Sequence, residues 1–419
     1  MPNNSMPLQD IPCLSLQGPM LSLPKRIKRK SRDWLSEGLD TECNAPTELI
    51  QQWSPCHQHQ QLLSKDKENE GKFILARRSR RRKQSKLGIS WNHLPDELLL
   101  AIFFYLPLQD LLRISVVSKR WHRLVFDECL WHSVDLEGLT HMGPALQQVL
   151  KTGVRRLRCP RAFVEELHFT VPVPLQIVQL DLSSSIIPTS ALECIICHCR
   201  QLEYLSLESQ QISDKIINSL AMNTNLLQLN LSGCSRFSAP ALADMLKSCS
   251  SIEQLNISWC GFNNDHVKSV VYNLSSRVTH LNLSGYRENL TLNDLKVLVD
   301  RCPQIQTLDL SDSTLLMADS FHVFKHLKCL LHLSLSRCYN IHLAALSNLG
   351  KMVPTLCLLD VFGLIQDNHL PSLKKEMPHI SINSRPFSSV ARPTPTSWFI
   401  GSPSGRIMWS RMCRLRFTL

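Results

Sequence analysis

The chain has 419 residues, of which 43% are hydrophobic and 19% charged, and its 46 Lys and Arg against 35 Asp and Glu give a formal net charge of +11. This apolar content is sufficient for a substantial core and for two or three domains. No uninterrupted run of about 18 apolar residues occurs, and no apolar block precedes Asp10, so we expect neither a membrane span nor a secretory signal. We therefore expect a globular protein of the nucleus and cytoplasm, with reduced cysteines and no membrane partner.

Residues 1–90 differ in composition from the rest of the chain. They carry 16 Lys and Arg against 9 Asp and Glu, so seven of the eleven net positive charges lie here. They are rich in Pro, Ser, Gln and Asn and show no sustained periodicity, a composition that buries too little apolar surface to offset the entropy of ordering. We predict a disordered basic regulatory tail.

Two dense basic runs within this tail are candidate nuclear-import signals, because such runs suit an acidic groove. A merely solvated tail and direct nucleic-acid binding are the alternatives, but no aromatic residues interleave with the runs and we expect no direct nucleic-acid contact. Lys67-Glu68-Asn69 resembles the KEN signal read by the anaphase-promoting complex, although three residues in a polar tail also arise by chance. The import candidates are Lys28, Arg29, Lys30, Arg80, Arg81, Arg82 and Lys83.

Residues 91–131 predict three short helices. Pro95 starts the first helix, with Asp96 in its positive first turn, and Pro107 ends it. A second helix is predicted over about 109–117, and Ser118 is a predicted N-cap for a third. Because the first helix is apolar all round and the unit is small, its surplus apolar surface indicates a partner or the following domain. A cap that seals the following repeats is the alternative.

Four motifs in this segment together resemble the F-box. They are Leu94-Pro95-x-Glu97-Leu98-Leu99-x-x-Ile102, Leu111-Leu112-Arg113, Val117-Ser118-Lys119-Arg120-Trp121 and Leu130-Trp131. In that family the helices bind a Skp-type adaptor, which couples them to a cullin scaffold and a RING subunit. The resemblance implies interface or interface-supporting roles for Leu94, Pro95, Leu98, Leu99, Ile102, Phe103, Leu106, Leu112 and Trp121.

A leucine-rich repeat with a period near 25 follows, over residues 132–382. Val134 and Leu157 begin weaker repeats upstream and Ile380 a weaker one downstream, giving about ten turns. Such an array predicts an α/β solenoid with parallel strands inside and helices outside. The strand centres, spaced 24 to 27 residues apart, are Leu180, Leu205, Leu229, Leu255, Leu281, Leu308, Leu333 and Leu359.

The repeat also explains six of the 16 cysteines, which recur at fixed distances from a strand leucine. We predict that these are small buried thiols. Cys194-x-x-Cys197-His198 matches the haem-attachment motif, but it falls in an outer helix and we expect no metal or cofactor. The six cysteines are Cys199, Cys234, Cys249, Cys260, Cys302 and Cys338.

Two polar columns accompany the strands. Strand alternation predicts that the first column lines a bare concave face, and it comprises Asp181, Ser206, Asn230, Asn256, Asn282, Asp309 and Ser334. The second column follows each strand and comprises Ser184, Ser209, Gly233, Trp259, Gly285, Asp312 and Arg337. An exposed Trp259 is either a hot spot for a protein partner or packs against a loop or the C-terminal tail.

Several phrases more closely resemble the S-phase kinase-associated branch of F-box receptors. They are Leu229-Asn-Leu-Ser-Gly-Cys234, Leu281-Asn-Leu-Ser-Gly-Tyr-Arg287, Leu308-Asp-Leu-Ser-Asp-Ser313 and Leu333-Ser-Leu-Ser-Arg-Cys-Tyr339. The resemblance implies a non-catalytic substrate receptor of an SCF ubiquitin ligase, which recognises a phosphorylated cyclin-dependent-kinase inhibitor together with a small Cks accessory protein.

The same resemblance implies cyclin–kinase complexes as further partners and a tail, residues 383–419, that folds back over the concave face. It places six residues against the accessory protein or substrate, and these are Trp259, Arg287, Asp312, Arg337, Tyr339 and Phe387.

No catalytic motif stands beside these features. The sequence has no Gly-rich phosphate loop, nucleophile elbow, His-Glu-x-x-His or RING-like set of metal ligands, so we expect any ubiquitin transfer to be performed by partners. The alternative function is a repeat scaffold without a connection to ubiquitin, whose first three helices serve as a cap.

Overall fold

The computed structural model describes residues 91–139, 142–164, 174–393, 413 and 415–417. All of these belong to one structural unit, Asn44–Leu419. The basic runs and the KEN-like motif lie outside the described residues, so their roles stay predictions. Within the described residues, no helix is both long enough and apolar enough to cross a membrane.

Three short helices open the described chain, as predicted. The side chain of Ser118 accepts a hydrogen bond from the Trp121 N–H (3.1 Å), which confirms the predicted N-cap. The second helix ends at Ile114 rather than near residue 117. Directly after it, the Ser115 hydroxyl donates a hydrogen bond to the Leu112 carbonyl (2.7 Å). The helices are α1 (Asp96–Phe103), α2 (Leu108–Ile114) and α3 (Lys119–Val125), flanked by 3₁₀ turns at Trp91–His93 and Glu128–Leu130.

The rest of the described chain is a solenoid built on one parallel sheet, which confirms the predicted fold class. Its twelve strands lie in the order β11 to β1, followed by β12 beyond β1. The strands are β1 (Ser133–Asp135), β2 (Arg156–Arg158), β3 (Gln179–Asp181), β4 (Tyr204–Ser206), β5 (Gln228–Asn230), β6 (Gln254–Asn256), β7 (His280–Asn282), β8 (Thr307–Asp309), β9 (His332–Ser334), β10 (Leu358–Asp360), β11 (Ser381–Ile382) and β12 (Leu415–Arg416).

Helices cover the outer side of the sheet between successive strands. They are α4 (Gly143–Lys151), α5 (Thr189–Ile196), α6 (Asp214–Leu220), α7 (Ala239–Ser248), α8 (Asn264–Asn273), α9 (Leu292–Arg301), α10 (Ser320–Phe324), α11 (Leu343–Met352) and α12 (Leu370–Glu376). The strand leucines align across neighbouring strands, as Leu229 does with Leu255, and both are fully buried between sheet and helices. Stacking therefore buries a core that no single repeat could bury alone.

The last strand is centred on Ile382, which pairs with Leu359. Ile380, which is predicted to begin a weaker repeat, lies two residues before this strand centre. The Ile380 N–H bonds to the Met377 carbonyl (3.0 Å), as the Leu356 N–H bonds to that of Val353 (3.1 Å). Ile380 therefore occupies the position of the first apolar residue of the repeat.

The six repeat cysteines are buried, as predicted. Several thiols donate to a carbonyl of the preceding repeat, such as Cys234 to Leu207 (3.0 Å) and Cys260 to Leu231 (3.1 Å). Burial disfavours the thiolate and raises the pKa of the Cys260 thiol to about 12. A cysteine at this position thus combines the volume of a small apolar residue with one weak donor.

Residues 383–393 at the start of the C-terminal tail run back along the concave side of the sheet. The Asn256 amide donates to the Val390 carbonyl (3.2 Å), and the Ala391 N–H donates to the Gln254 side chain (3.2 Å). The Arg392 guanidinium bonds to the carboxylate of Glu208 (3.0 Å). At the first-repeat end of the sheet, β12 pairs with β1. The strand edge of the first repeat is therefore covered by residues of the C-terminal tail.

We predict that Leu255→Ala lowers the free energy of unfolding by about 2–5 kcal/mol, because it leaves a cavity in a fully buried strand position. Leu331→Ala is the control, since Leu331 is 44% exposed and should cost less than about 1 kcal/mol. Urea unfolding followed by circular dichroism measures both. Equal losses in the two variants would contradict the predicted core.

We also predict that Arg392 and Glu208 are coupled by about 0.5–1 kcal/mol, because their side chains are only 23% and 22% exposed. A double-mutant cycle with Arg392→Ala and Glu208→Ala measures the coupling in unfolding experiments. The exposed pair Lys247–Asp244 is the matched control and should show almost none. A coupling no larger than that of the control would show that the pair does not anchor the tail.

Candidate functional site

An apolar stripe on α1 faces away from the protein. Leu98 is 51% exposed, Ile102 39% and Tyr105 85%, and Pro95 is exposed beside them. A spacing of four residues places Leu98 and Ile102 on one side of the helix, and Pro95 and Tyr105 flank its two ends. We call Pro95, Leu98, Ile102 and Tyr105 the α1 stripe. Exposed apolar side chains grouped in this way are typical of a site that a partner covers.

The remaining predicted adaptor-binding residues support the stripe from behind. Leu99, Phe103 and Leu112 are buried between the helices, whereas Leu94, Leu106 and Trp121 are half-buried. The ring of Trp121 packs edge-on against Phe103, with ring centroids 5.1 Å apart. The predicted set therefore divides into residues that a partner could touch and residues that hold the helices together.

An arginine of α3 fixes the start of α1. Arg120 bonds to the Asp96 carboxylate (2.7 Å) and to the Leu94 carbonyl (2.5 Å), and Arg123 bonds to the second Asp96 oxygen (2.5 Å). The hydrogen bond from Arg120 lowers the pKa of Asp96 below its usual range. These contacts hold the N-terminal end of the α1 stripe in one orientation.

Sequence reasoning missed part of this apolar surface. Tyr105, Val116 and Val117 are strongly exposed although none of them is among the predicted adaptor-binding residues, and the same is true of Trp91 and Phe104. Val116 and Val117 follow the early end of α2 at Ile114, which releases them from the helix. Their signal in the sequence was the pair of β-branched residues directly before the capping Ser118.

The second candidate surface is built on the turns that end the strands. In most repeats an Asn or Asp at the strand end accepts the N–H two residues on, as Asn256 does from Ser258 (3.2 Å) and Asn282 from Ser284 (2.9 Å). This Asx turn explains why these polar side chains are buried rather than lining a bare face, as Asn256 is. The prediction of a bare concave surface is therefore wrong for this column.

The next residue in each turn has a left-handed backbone. Its N–H donates to the following repeat, as Trp259 does to Ser284 (2.9 Å) and Arg337 to Phe362 (2.9 Å). We call these residues the left-handed column, and their positive φ angles are uncommon for side chains other than Gly. The column comprises Arg161, Ser184, Ser209, Gly233, Trp259, Gly285, Asp312, Arg337 and Gly363.

Three predicted recognition residues meet around one cavity between the later strands and the tail. Trp259, Arg337 and Phe387 line this cavity of about 220 Å³, and Trp259 and Phe387 remain 47% and 53% exposed. Both alternatives weighed for Trp259 thus hold in part, since it shares a cavity with the tail and yet presents much of its surface. An exposed aromatic pair beside arginines suits a protein partner with acidic or phosphorylated groups.

The other three predicted residues, Arg287, Asp312 and Tyr339, do not line the cavity. Asp312 receives two hydrogen bonds from Arg337, Nε to Oδ1 (2.8 Å) and Nη2 to Oδ2 (2.5 Å). The hydrogen bond with Asp312 raises the pKa of Arg337, which keeps the guanidinium charged. Tyr339 is strongly exposed, and Arg287 opens an exposed 3₁₀ turn. We call the six predicted residues the recognition surface.

The floor of the cavity holds a buried pair that sequence reasoning missed. His332 Nε2 lies 2.7 Å from the Asp360 carboxylate, whose other oxygen accepts the N–H of Arg385 (3.2 Å). Burial raises the pKa of the nearby Asp309 above its usual value. Among the described residues, no three His, Cys, Asp or Glu side chains are grouped so as to hold a metal ion.

Known proteins match both parts of the chain. Residues 91–137 match the family described as F-box-like, and residues 144–416 match the family described as SKP2 LRR domain. The human F-box/LRR-repeat protein 12 is 60% identical over 43 residues, which are 10% of this chain and 13% of that protein. The sheep F-box/LRR-repeat protein 21 is 23% identical over 229 residues, which cover 48% of this chain and 51% of that protein.

Solved structures with repeats show weaker likeness. The leucine-rich-repeat protein LegL7 of Legionella pneumophila has a TM-score of 0.33 and 17% identity over 51% of this chain and 75% of its own. An internalin of Listeria monocytogenes, InlF, has a TM-score of 0.35 and 20% identity over 51% and 63%. The match to the repeat family extends over more than half of the chain. The chain therefore belongs to the F-box/LRR-repeat family, with an F-box-like segment followed by a repeat domain of the SKP2 type.

Proposed function

We propose that this protein is the substrate-recognition subunit of an SCF-type ubiquitin ligase. The observation that carries the proposal is the α1 stripe, an apolar surface on the F-box-like segment that no described residue covers. A Skp-type adaptor would bury the stripe and connect the chain to a cullin and a RING subunit. Ubiquitin transfer would then belong to those partners, and this chain would supply binding alone.

The path of the tail favours this proposal over a scaffold in which the first helices serve as a cap. β12 pairs in parallel with β1, aligning Leu415 with Val134. The tail therefore covers the outer edge of β1, which would otherwise be an unpaired strand edge. The apolar stripe of α1 is left free for another protein.

The recognition surface is proposed to bind a phosphorylated cyclin-dependent-kinase inhibitor together with a Cks accessory protein. Support comes from the clustering of Trp259 and Phe387 around one cavity with Arg337, whose guanidinium is fixed by Asp312. Aromatic anchors beside arginines are typical of binding hot spots. The resemblance to the S-phase kinase-associated receptors supplies the identity of the partners and a role in the cell cycle.

The regulatory parts of the proposal concern residues outside the described chain. Nuclear and cytoplasmic localisation would depend on the two basic runs, and destruction through the anaphase-promoting complex on the KEN-like motif. Cyclin–kinase complexes are further proposed partners.

Leu98→Asp combined with Ile102→Asp should weaken adaptor binding by at least about 100-fold, because each substitution places a charge where apolar area would be buried. Co-purification with a Skp-type adaptor, followed by calorimetric titration, measures the loss. Met222→Asp is the control, since Met222 is an apolar residue on a repeat and is 61% exposed, more than Leu98 or Ile102. Undiminished binding by the double variant would refute the adaptor interface.

Trp259→Ala should reduce capture of a phosphothreonine peptide, in the presence of the Cks protein, by at least about 10-fold, because the indole is a central anchor. Arg337→Ala should act in the same direction, since it removes a charge-assisted donor. Tyr272→Ala is the control, because Tyr272 is a similarly exposed aromatic on outer helix α8. Equal capture by wild type and all three variants would rule out the proposed surface.

A further inference from the structure

Glycines follow two of the large side chains in the left-handed column. Trp259 is followed in the next repeat by Gly285, and Arg337 by Gly363, both glycines with positive φ angles of 90° and 66°. Strands of one sheet lie about 4.8 Å apart, so a side chain that leans toward the next strand meets the Cβ position of its neighbour. A large residue in this column therefore requires space in the repeat that follows.

The space above Gly285 is occupied by the indole of Trp259. A Cβ atom on Gly285 would lie 2.8 Å from Cδ2 and 2.9 Å from Cε3 of the ring, distances that real Cβ contacts do not show. The ring therefore lies directly over the glycine. Any side chain at position 285 would displace the ring from its present place beside the cavity.

The space above Gly363 is occupied in the same way by Arg337. A Cβ atom there would lie 3.0 Å from Cγ of Arg337, at the start of the stem that carries the guanidinium to Asp312. Asp312 itself is followed by Arg337, and the two side chains form an ion pair instead of requiring a gap.

A third glycine of the column shows that a left-handed backbone alone does not explain this arrangement. Gly233 has a φ of 69°, but a Cβ atom there would come no closer than 3.4 Å to the Ser209 hydroxyl, an ordinary contact. Gly233 thus meets the same backbone requirement without seating a large side chain. The two requirements can be separated by substitution.

We propose that Gly285 and Gly363 are positioning residues of the recognition surface, which seat the indole of Trp259 and the stem of Arg337 in the orientation that a partner recognises. This inference rests on the proposed function of that surface. The two glycines would not contact the partner themselves. They would affect specificity by fixing the positions of the Trp259 ring and the Arg337 charge, which do.

The test compares Gly285→Ala with Gly233→Ala in the full chain bound to its adaptor. Both substitutions place Ala in a left-handed conformation, so their thermal unfolding midpoints should fall by similar amounts. Capture of the phosphothreonine peptide with the Cks protein should fall by about 10-fold or more for Gly285→Ala and by less than about 3-fold for Gly233→Ala. Gly363→Ala, which disturbs Arg337, is a second variant should Gly285→Ala fail to fold.

The position of the Trp259 ring can also be measured without any partner, by NMR of its indole N–H. The indole N–H signal of Trp259 is assigned by its loss in Trp259→Phe, and it should shift in Gly285→Ala but not in Gly233→Ala. In a Trp259→Ala background, Gly285→Ala should have no further effect on capture.

An unshifted indole signal in Gly285→Ala, or full peptide capture by this variant despite a shift, would contradict the positioning role of Gly285. Failure of the wild-type protein to capture the peptide would instead overturn the proposed function itself, and the positioning role with it.

Discussion

The left-handed turn at the end of each strand is the constraint on which the functional surface depends. An Asx turn buries the polar side chain of the strand end, and the next residue donates its N–H to the following repeat, as Trp259 does to Ser284. A non-glycine residue in this conformation costs about 1–2 kcal/mol. The stacked repeats offset that cost, because the turn hydrogen bonds continue the ladder of the sheet beyond the strands. Side chains at these positions are therefore held in register at the rim of the concave face.

This regular backbone explains how a small number of residues can form a specific surface. The column is filled mainly by small residues in the early repeats and by Trp259, Asp312 and Arg337 in the later ones. Trp259 and Arg337 each lie against a glycine of the following repeat, and Asp312 forms an ion pair there with Arg337. The tail then closes the cavity by adding Phe387 from a part of the chain more than 100 residues away from Trp259. Recognition thus depends on the stacking of repeats and on the return of the tail.

The F-box-like helices directly precede β1 in the chain and β12 pairs with β1, so both belong to the first-repeat end of the solenoid. The tail covers the strand edge of the first repeat through β12, which removes a site for unwanted pairing. The helices retain an apolar stripe with Leu98 and Ile102 exposed. In the proposed receptor role, the F-box-like helices would dock on an adaptor while the concave side remains available for another protein.

The amino-acid sequence by itself determined the class of fold, since leucines at spacings near 25 and buried cysteines at fixed distances from them follow from local periodicity. It also predicted the capping role of Ser118, because capping depends on neighbours three residues away. Only the tertiary structure decided that Asn256 and its equivalents are buried and that Ile382 is the centre of the last strand. It alone placed Phe387 beside Trp259 and revealed the space above Gly285. These features arise from contacts between distant repeats, which no local pattern records.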